Sequence, residues 1–171
     1  MNPAYSILID EETIRAKVAE LGKQINRDYK DREVVVIAIA NGAVVFASDL
    51  LRQLNLTVWF DTVKASSYRG TVSGELTLKN TFSLDLASRH VILLDDILDT
   101  SKTLIKIREH ILSFSPASLR TCVLLDKPTG RSNGFQADYC GFIIPDRFVF
   151  GYGLDDDQGL GRHYPFIAAK N

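Results

Sequence analysis

The sequence predicts an α/β fold built on a mainly parallel, twisted sheet flanked by helices. Three observations carry that expectation. Val34–Ala40 and Val91–Leu94 are continuous apolar runs, the pattern of strands buried on both faces, and Leu119–Leu125 reads as another buried strand. Segments with apolar residues at helical spacing lie between such runs, and strands alternating with helices form parallel sheets through right-handed crossovers. Each polar loop of note follows a strand, so the loops can gather at the carboxyl edge, where open α/β sheets bind ligands.

Taken in order, Asp10 reads as a helix N-cap with Glu11 and Glu12 in the first turn. Ile14, Val18, Leu21 and Ile25 then share one helix face. Strand Val34–Ala40 is punctuated by Asn41-Gly42, after which Val44–Leu54 reads as a helix. Leu56–Val63 is the next strand, Ala65–Gly74 a loop rich in Ser, Thr and Gly, and Glu75–Leu86 a short hairpin or edge strand. Strand Val91–Leu94 leads to helix Thr103–Ser113, and strand Leu119–Leu125 to the loop Asp126–Gly134. Phe142–Ile144 and Val149–Gly151 are short strands, and the tail reads as irregular after Leu154.

The chain has 171 residues, a one-domain length able to bury a real core, and a formal net charge of −1. That charge gives no support to nonspecific nucleic-acid binding. The densest basic patch, Lys23–Arg32, is interleaved with Asp28 and Asp31, as on a solvated helix face. Met1–Asp10 lacks the basic start and long apolar stretch of a signal peptide, and no run approaches a membrane span of roughly 18 apolar residues. Cys122 and Cys140 sit in apolar strand-like segments, as buried thiols of a reducing, cytoplasmic setting do. Neither has a neighbouring base to make it a nucleophile. His90, His110 and His163 show no metal-ligand spacing and read as structural or surface residues.

Val91–Leu104, VILLDDILDTSKTL, carries the most chemistry. The apolar strand stops at Asp95 and Asp96, and Asp99-Thr100-Ser101-Lys102-Thr103 opens a helix. A helix N-terminus has unsatisfied N–H groups and a partial positive charge, which suit a phosphate. Paired acids suit sugar hydroxyls or Mg²⁺. Together they make a site for a phosphorylated sugar with a metal. The segment lacks the GxxxxGK[ST] pattern, and no GxGxxG is present.

This segment resembles the signature of the type I phosphoribosyltransferases, with Ser101 standing where the family usually has Gly. Were φ positive there, Ser would be strained relative to Gly. Three further segments resemble the hypoxanthine–guanine branch of that family. Ala65-Ser66-Ser67-Tyr68 with Ser73-Gly74 is similar to the mobile catalytic loop, so the resemblance implies catalytic roles for Ser67 and Tyr68. Leu124-Leu125-Asp126-Lys127 is similar to the segment that presents a Lys to the purine O6. Ile144–Asp155 resembles the purine-stacking and metal segment, implying that Phe148 stacks on the base, the Val149 backbone reads its edge and Asp155 binds Mg²⁺. The usual Leu-Lys-Gly-Gly diphosphate loop appears here as Ala40-Asn41-Gly42-Ala43, with Asn41 and Gly42 as the candidates to bind diphosphate, a place where the family often uses a cis peptide. Arg162, one residue later than the family spacing through an insertion in the loop Asp156–Gly161, corresponds to the family's catalytic Arg.

The resemblance implies the type I phosphoribosyltransferase fold in one domain over residues 1–171, with a small hood from about residues 1–30 and 140–171. It implies transfer of a phosphoribosyl group from 5-phosphoribosyl-1-pyrophosphate to hypoxanthine or guanine in a homo-oligomer, a dimer or tetramer. Asp95 and Asp96 would hold the ribose hydroxyls, in part through metal-bound water, while the Mg²⁺ at Asp155 would be a second one carried by pyrophosphate. Thr100, Ser101, Lys102 and Thr103 would hold the 5′-phosphate, and Asp99 would take the purine N7 proton. An alternative of another class is a phosphoribosyltransferase-fold regulator that senses the same donor and binds nucleic acid. The near-neutral charge and the purine features Lys127 and Phe148–Asp155 weigh against it.

Overall fold

Helix α1 (Glu11–Asp28) starts where Asp10 caps it, its side chain accepting from the Thr13 N–H at 2.8 Å. The computed structural model describes residues 5–64, 82–130 and 134–170. Strand β1 (Tyr5–Ile9) precedes α1. Then come β2 (Glu33–Ala40), α2 (Val44–Leu51), β3 (Thr57–Lys64), β4 (His90–Leu98), α3 (Lys102–Leu112) and β5 (Ser118–Asp126). A 3-10 turn (Pro128–Gly130), β6 (Tyr139–Ile143), β7 (Val149–Phe150) and β8 (Ile167–Lys170) complete the described elements.

The parallel sheet runs β3-β2-β4-β5-β6. Period-2 alternation sorts its central side chains onto two buried faces. Val34, Val36, Ala38, Ile92, Leu94, Cys122 and Leu124 face α1 and α2, where Ile14, Val18, Leu21, Ile25, Phe46 and Leu50 meet them. Val35, Ile37, Val91, Leu93 and Val123 face α3, through Leu104, Ile107 and Ile111. The continuous apolar runs thus follow from cover on both sides.

A second, antiparallel sheet, β1-β8-β7, joins the two ends of the described chain. It lies on the α1/α2 side, with Ile9, Val149, Ile167 and Ala169 in the same core cluster.

Several boundaries differ from the sequence expectation. β4 does not stop at Leu94: it runs through Asp95 and Asp96 to Leu98, because β5 continues to pair with it up to Leu98↔Asp126. Backbone pairing is indifferent to the change from apolar to acidic side chains. α2 ends at Leu51, not Leu54, and β6 begins at Tyr139, three residues before the predicted Phe142 and ending at Ile143. β1 and β8 were not anticipated; the tail is not irregular throughout, because Ile167–Lys170 finds partners on both sides. Of the expected Glu75–Leu86 hairpin, Phe82–Leu86 forms no strand, and the rest lies outside the described residues.

Candidate active site

Two neighbouring strands whose chains leave in opposite directions open a crevice at their carboxyl ends. Here those strands are β2, which leads to β3 on one side, and β4, which leads to β5 on the other. The β2–β4 register ends at Ala38↔Leu94, while β4 goes on beside β5. Asp95 and Asp96 fall where β4 has lost one neighbour, so their side chains reach the crevice from a strand still held on the other edge.

Both acids are half-buried. The Asp95 Oδ1 accepts from the Asp96 N–H at 3.1 Å, and the Asp96 Oδ1 from the Ile97 N–H at 2.8 Å. Burial, then the negative charge of Asp96, holds the Asp95 carboxyl well above the usual carboxylate range. Burial also raises Asp96, with the charge of Arg162 working in the other direction. Such a pair favours protons, hydroxyl donors or a cation.

Across the crevice, the Ala40–Asn41 peptide is cis. A Cβ at Gly42 would overlap the Asp96 carboxylate, so only glycine lets this loop lie against the acid pair. Gly153, with φ 103°, packs in turn on the Gly42 carbonyl, where a Cβ would also overlap. Hood turn, loop and acids are thus stacked in contact.

Beyond β4, Asp99 and Thr100 lead to Ser101, buried with φ 63°, and α3 begins at Lys102. The left-handed conformation expected of the family's glycine is therefore taken by serine; its hydroxyl donates to the Thr100 carbonyl at 2.5 Å rather than capping the helix. Asp95, Asp99, Thr100, Ser101 and Thr103 line a cavity of about 210 Å³. A cavity of about 250 Å³ lined by Arg32, Trp59, Arg89 and His90 lies at the opposite, amino-terminal end of the strands. The acids and the helix N-terminus, not volume, mark the site.

Lys127 follows β5 and is 7% exposed. Its Nζ stands 3.9 Å from the Asp99 Oδ2 and 4.0 Å from the Asp146 Oδ1. The sequence reading assigned no role to Asp146; the Pro145-Asp146 turn after β6 carried no signal of its approach to Lys127. Phe148 is 46% exposed, with the Lys170 Nζ 5.2 Å from its ring centroid. Phe150 is buried instead, in edge contact with Tyr5. Val149 is buried in β7.

Asp155 pairs with the Arg162 Nη2 at 2.7 Å, and the Arg162 Nη1 donates to the Gly153 carbonyl at 2.6 Å. The loop Asp156–Gly161 folds on Asp156, whose Oδ1 accepts from the Gln158 and Leu160 N–H groups at 2.9 and 2.8 Å. That closure brings Arg162 back to Asp155. Ser67 and Tyr68, with the expected catalytic loop Ala65–Gly74, lie outside the described residues.

Among the described residues no three or more His, Cys, Asp or Glu side chains converge on one point. Mg²⁺ commonly binds through one or two carboxylates, with substrate phosphates and water completing its shell. A crowded acid pair and a half-buried Asp155 fit that mode.

The phosphoribosyl transferase domain matches residues 5–157, which sets the class. The chain is 38% identical over 164 residues to the hypoxanthine-guanine phosphoribosyltransferase of Aquifex aeolicus, covering 94% of this chain and 92% of that one. It is 37% identical over 171 residues to the hypoxanthine phosphoribosyltransferase of Escherichia coli, covering 98% and 96%. A crystal structure of a hypoxanthine-guanine phosphoribosyltransferase from Bacillus anthracis superposes with a TM-score of 0.89 at 40% identity, covering 98% of each chain. The hypoxanthine phosphoribosyltransferase of Trypanosoma cruzi in a ternary substrates complex superposes with a TM-score of 0.92 at 36% identity, covering 100% and 97%. This chain belongs to the hypoxanthine–guanine phosphoribosyltransferase family.

Proposed function

We propose that the crevice joins 5-phosphoribosyl-1-pyrophosphate to a 6-oxopurine, hypoxanthine or guanine, with release of pyrophosphate. The observation that carries this is the convergence of Asp95, Asp96, Asp99 and the start of α3 at one strand switch, with Lys127 3.9 Å from Asp99. Donor and base sites are then adjacent.

The N–H groups of Asp99–Thr103 take the 5′-phosphate, with the hydroxyls of Thr100 and Thr103 and the charge of Lys102 assisting. Ser101 contributes its N–H from the left-handed position. Asp95 and Asp96 accept from the ribose hydroxyls, and donor binding replaces an unfavourable carboxylate contact with hydrogen bonds. The N–H groups around Asn41 and Gly42 face the diphosphate. Asp95 and Asp96 would hold one Mg²⁺ on the ribose side, in part through metal-bound water, and Asp155 a second one carried by the pyrophosphate; such ions would supply neutralisation of the departing charge on the donor oxygens. Arg162 adds positive charge beside the same oxygens.

On the base side, Phe148 stacks on the purine while the Val149 backbone reads its edge. Lys127 donates to O6 and faces a donor–donor conflict with a 6-amino group, so adenine is rejected. Asp99 accepts the N7 proton as the base attacks the anomeric carbon. Ser67 and Tyr68 are assigned to shielding the ribosyl centre from water. The terminal sheet β1-β8-β7 serves as the hood of a single domain, the assembly is a homo-oligomer, and the setting is cytoplasmic. The thiols of Cys122, buried in β5, and Cys140, in β6, fit that setting. Nothing among the described residues favours the nucleic-acid-binding regulator.

The test is a base panel of hypoxanthine, guanine, xanthine, adenine and uracil with labelled donor, with and without Mg²⁺. Nucleotide should form with 6-oxopurines only, and only with Mg²⁺. Product from adenine or uracil alone, or full activity after rigorous chelation, refutes the assignment.

A further inference from the structure

Tyr152 sits in the hood turn between Gly151 and Gly153, and the three have φ of 100°, 50° and 103°. Glycine adopts such a backbone freely; a tyrosine does so against steric resistance. An aromatic kept there points to work done by its side chain. The ring is 6% exposed, and its hydroxyl donates to the Asp49 Oδ2 at 2.7 Å, 103 positions away in the sequence. Burial, then Asp49 as acceptor and as charge, keeps the phenol protonated far above its ordinary range.

The partners of this bond belong to different parts of the fold, the hood turn and α2, and both line a cavity of about 270 Å³ with Glu11 and Arg15 of α1. Asp49 is on α2, the helix that begins just after Asn41-Gly42-Ala43, and the Arg52 Nη1 holds its other oxygen at 3.2 Å. Tyr152 lies between Phe148-Val149, assigned to the base, and Asp155, assigned to the metal. Its neighbour Gly153 already presses on the Gly42 carbonyl. The backbone of the turn is tied to the segment carrying Arg162: the Tyr152 N–H donates to the Tyr164 carbonyl at 2.8 Å and the Gly153 N–H to the Arg162 carbonyl at 2.9 Å. The phenol of Tyr152 reaches to α2, with whose Phe46, Ala47 and Leu50 the residue shares one core cluster.

We propose that Tyr152 and Asp49 are positioning residues whose hydrogen bond sets the purine-holding hood against α2 and the diphosphate loop, and so fixes the attacking base over the anomeric carbon. The proposal rests on the phosphoribosyl-transfer assignment above. Neither residue lies among those assigned to donor, base or metal. The ribose 5-phosphate half of the donor is gripped by core residues Asp95–Thr103, whose placement does not run through this bond; the base and the diphosphate are held in part by the hood and the Asn41-Gly42 loop, whose placement does.

Tyr152→Phe should therefore leave the dissociation constant of ribose 5-phosphate, measured by calorimetry, within about twofold of wild type. It should lower kcat/KM for hypoxanthine by about tenfold or more, since a 1 Å misplacement can lower rates on the order of 100-fold. Asp49→Ala should match it, and the double variant should lose no more than either single one. Asp49→Asn should retain most of the activity, because its amide oxygen still accepts from the phenol. Wild-type efficiency in Tyr152→Phe, additive losses in the double variant, or equal losses in Asp49→Asn and Asp49→Ala would each overturn the proposal. So would a parallel fall in ribose 5-phosphate affinity and thermal midpoint, which marks simple support of the fold. A wild-type protein that makes no nucleotide from any 6-oxopurine removes the underlying reaction and this proposal with it; indifferent variants of an active wild type remove the proposal alone.

Discussion

Gly42→Ala is the most direct probe of how the crevice is assembled. The added Cβ would overlap the Asp96 carboxylate and lie 2.6 Å from its Cγ. Ordinary carbon–carbon contact begins near 3.5 Å, so the loop and the Asp96 carboxylate must part by roughly 1 Å. Overpacking of this kind costs about 1–3 kcal/mol of stability. The effect on catalysis should be larger than that on folding, because the displaced groups are the diphosphate loop and a ribose-binding acid. A misplacement of that size lowers kcat/KM by about 100-fold, equivalent to about 2.7 kcal/mol at 1.36 kcal/mol per decade. Steady-state kinetics with the donor varied, beside a thermal melt, reads both quantities. The reasoning is refuted if Gly42→Ala keeps kcat/KM for the donor within threefold of wild type while remaining folded.

Four other outcomes follow from the same geometry. Asp99→Asn should lose far more turnover than donor affinity, and equal losses of both would reject its role as base. Lys127→Ala removes a charge-assisted hydrogen bond of about 1.5–3 kcal/mol, so the KM for hypoxanthine and guanine should rise by about 10- to 150-fold; unchanged values for both remove Lys127 from recognition. Ser101→Gly relieves a left-handed serine at about 1–2 kcal/mol but adds about 0.5–1 kcal/mol of unfolded-chain entropy. The thermal midpoint should rise by about 1–4 °C, and a fall would show that the Ser101 hydroxyl outweighs the backbone. Asp95 and Asp96 have folded pKa values above their ordinary 3.8. As the pH drops through those raised values toward 3.8, the folded state takes up protons first and donor-free protein gains stability. Asp28, lowered chiefly by its hydrogen bond from Tyr139, loses its contribution only below 3.8, so the two windows do not overlap. Melts should peak higher near about pH 5 than near about pH 7, and an Asp95→Asn/Asp96→Asn variant should lack that gain; the same gain in the variant would assign it elsewhere.

The unbroken apolar runs, the Asp10 cap and the helical faces of α1 and α3 were legible because each is a local pattern that the packing reinforces. The same holds for the order of Asp95, Asp96, Asp99 and Thr103 along one strand, loop and helix. What lay outside local pattern was decided by partners distant in sequence. β4 outruns its apolar segment because β5 is beside it, and Ile167–Lys170 is a strand because Tyr5–Ile9 and Val149–Phe150 flank it. The approach of Lys127 to Asp99 and Asp146, the return of Arg162 to Asp155, and the bond from Tyr152 to Asp49 are likewise tertiary. A residue's periodicity and capping depend on neighbours within a turn or two, which a sequence displays. Distances across a crevice depend on how whole elements pack, and those emerge only when the sheet, the helices and the terminal strands are assembled together.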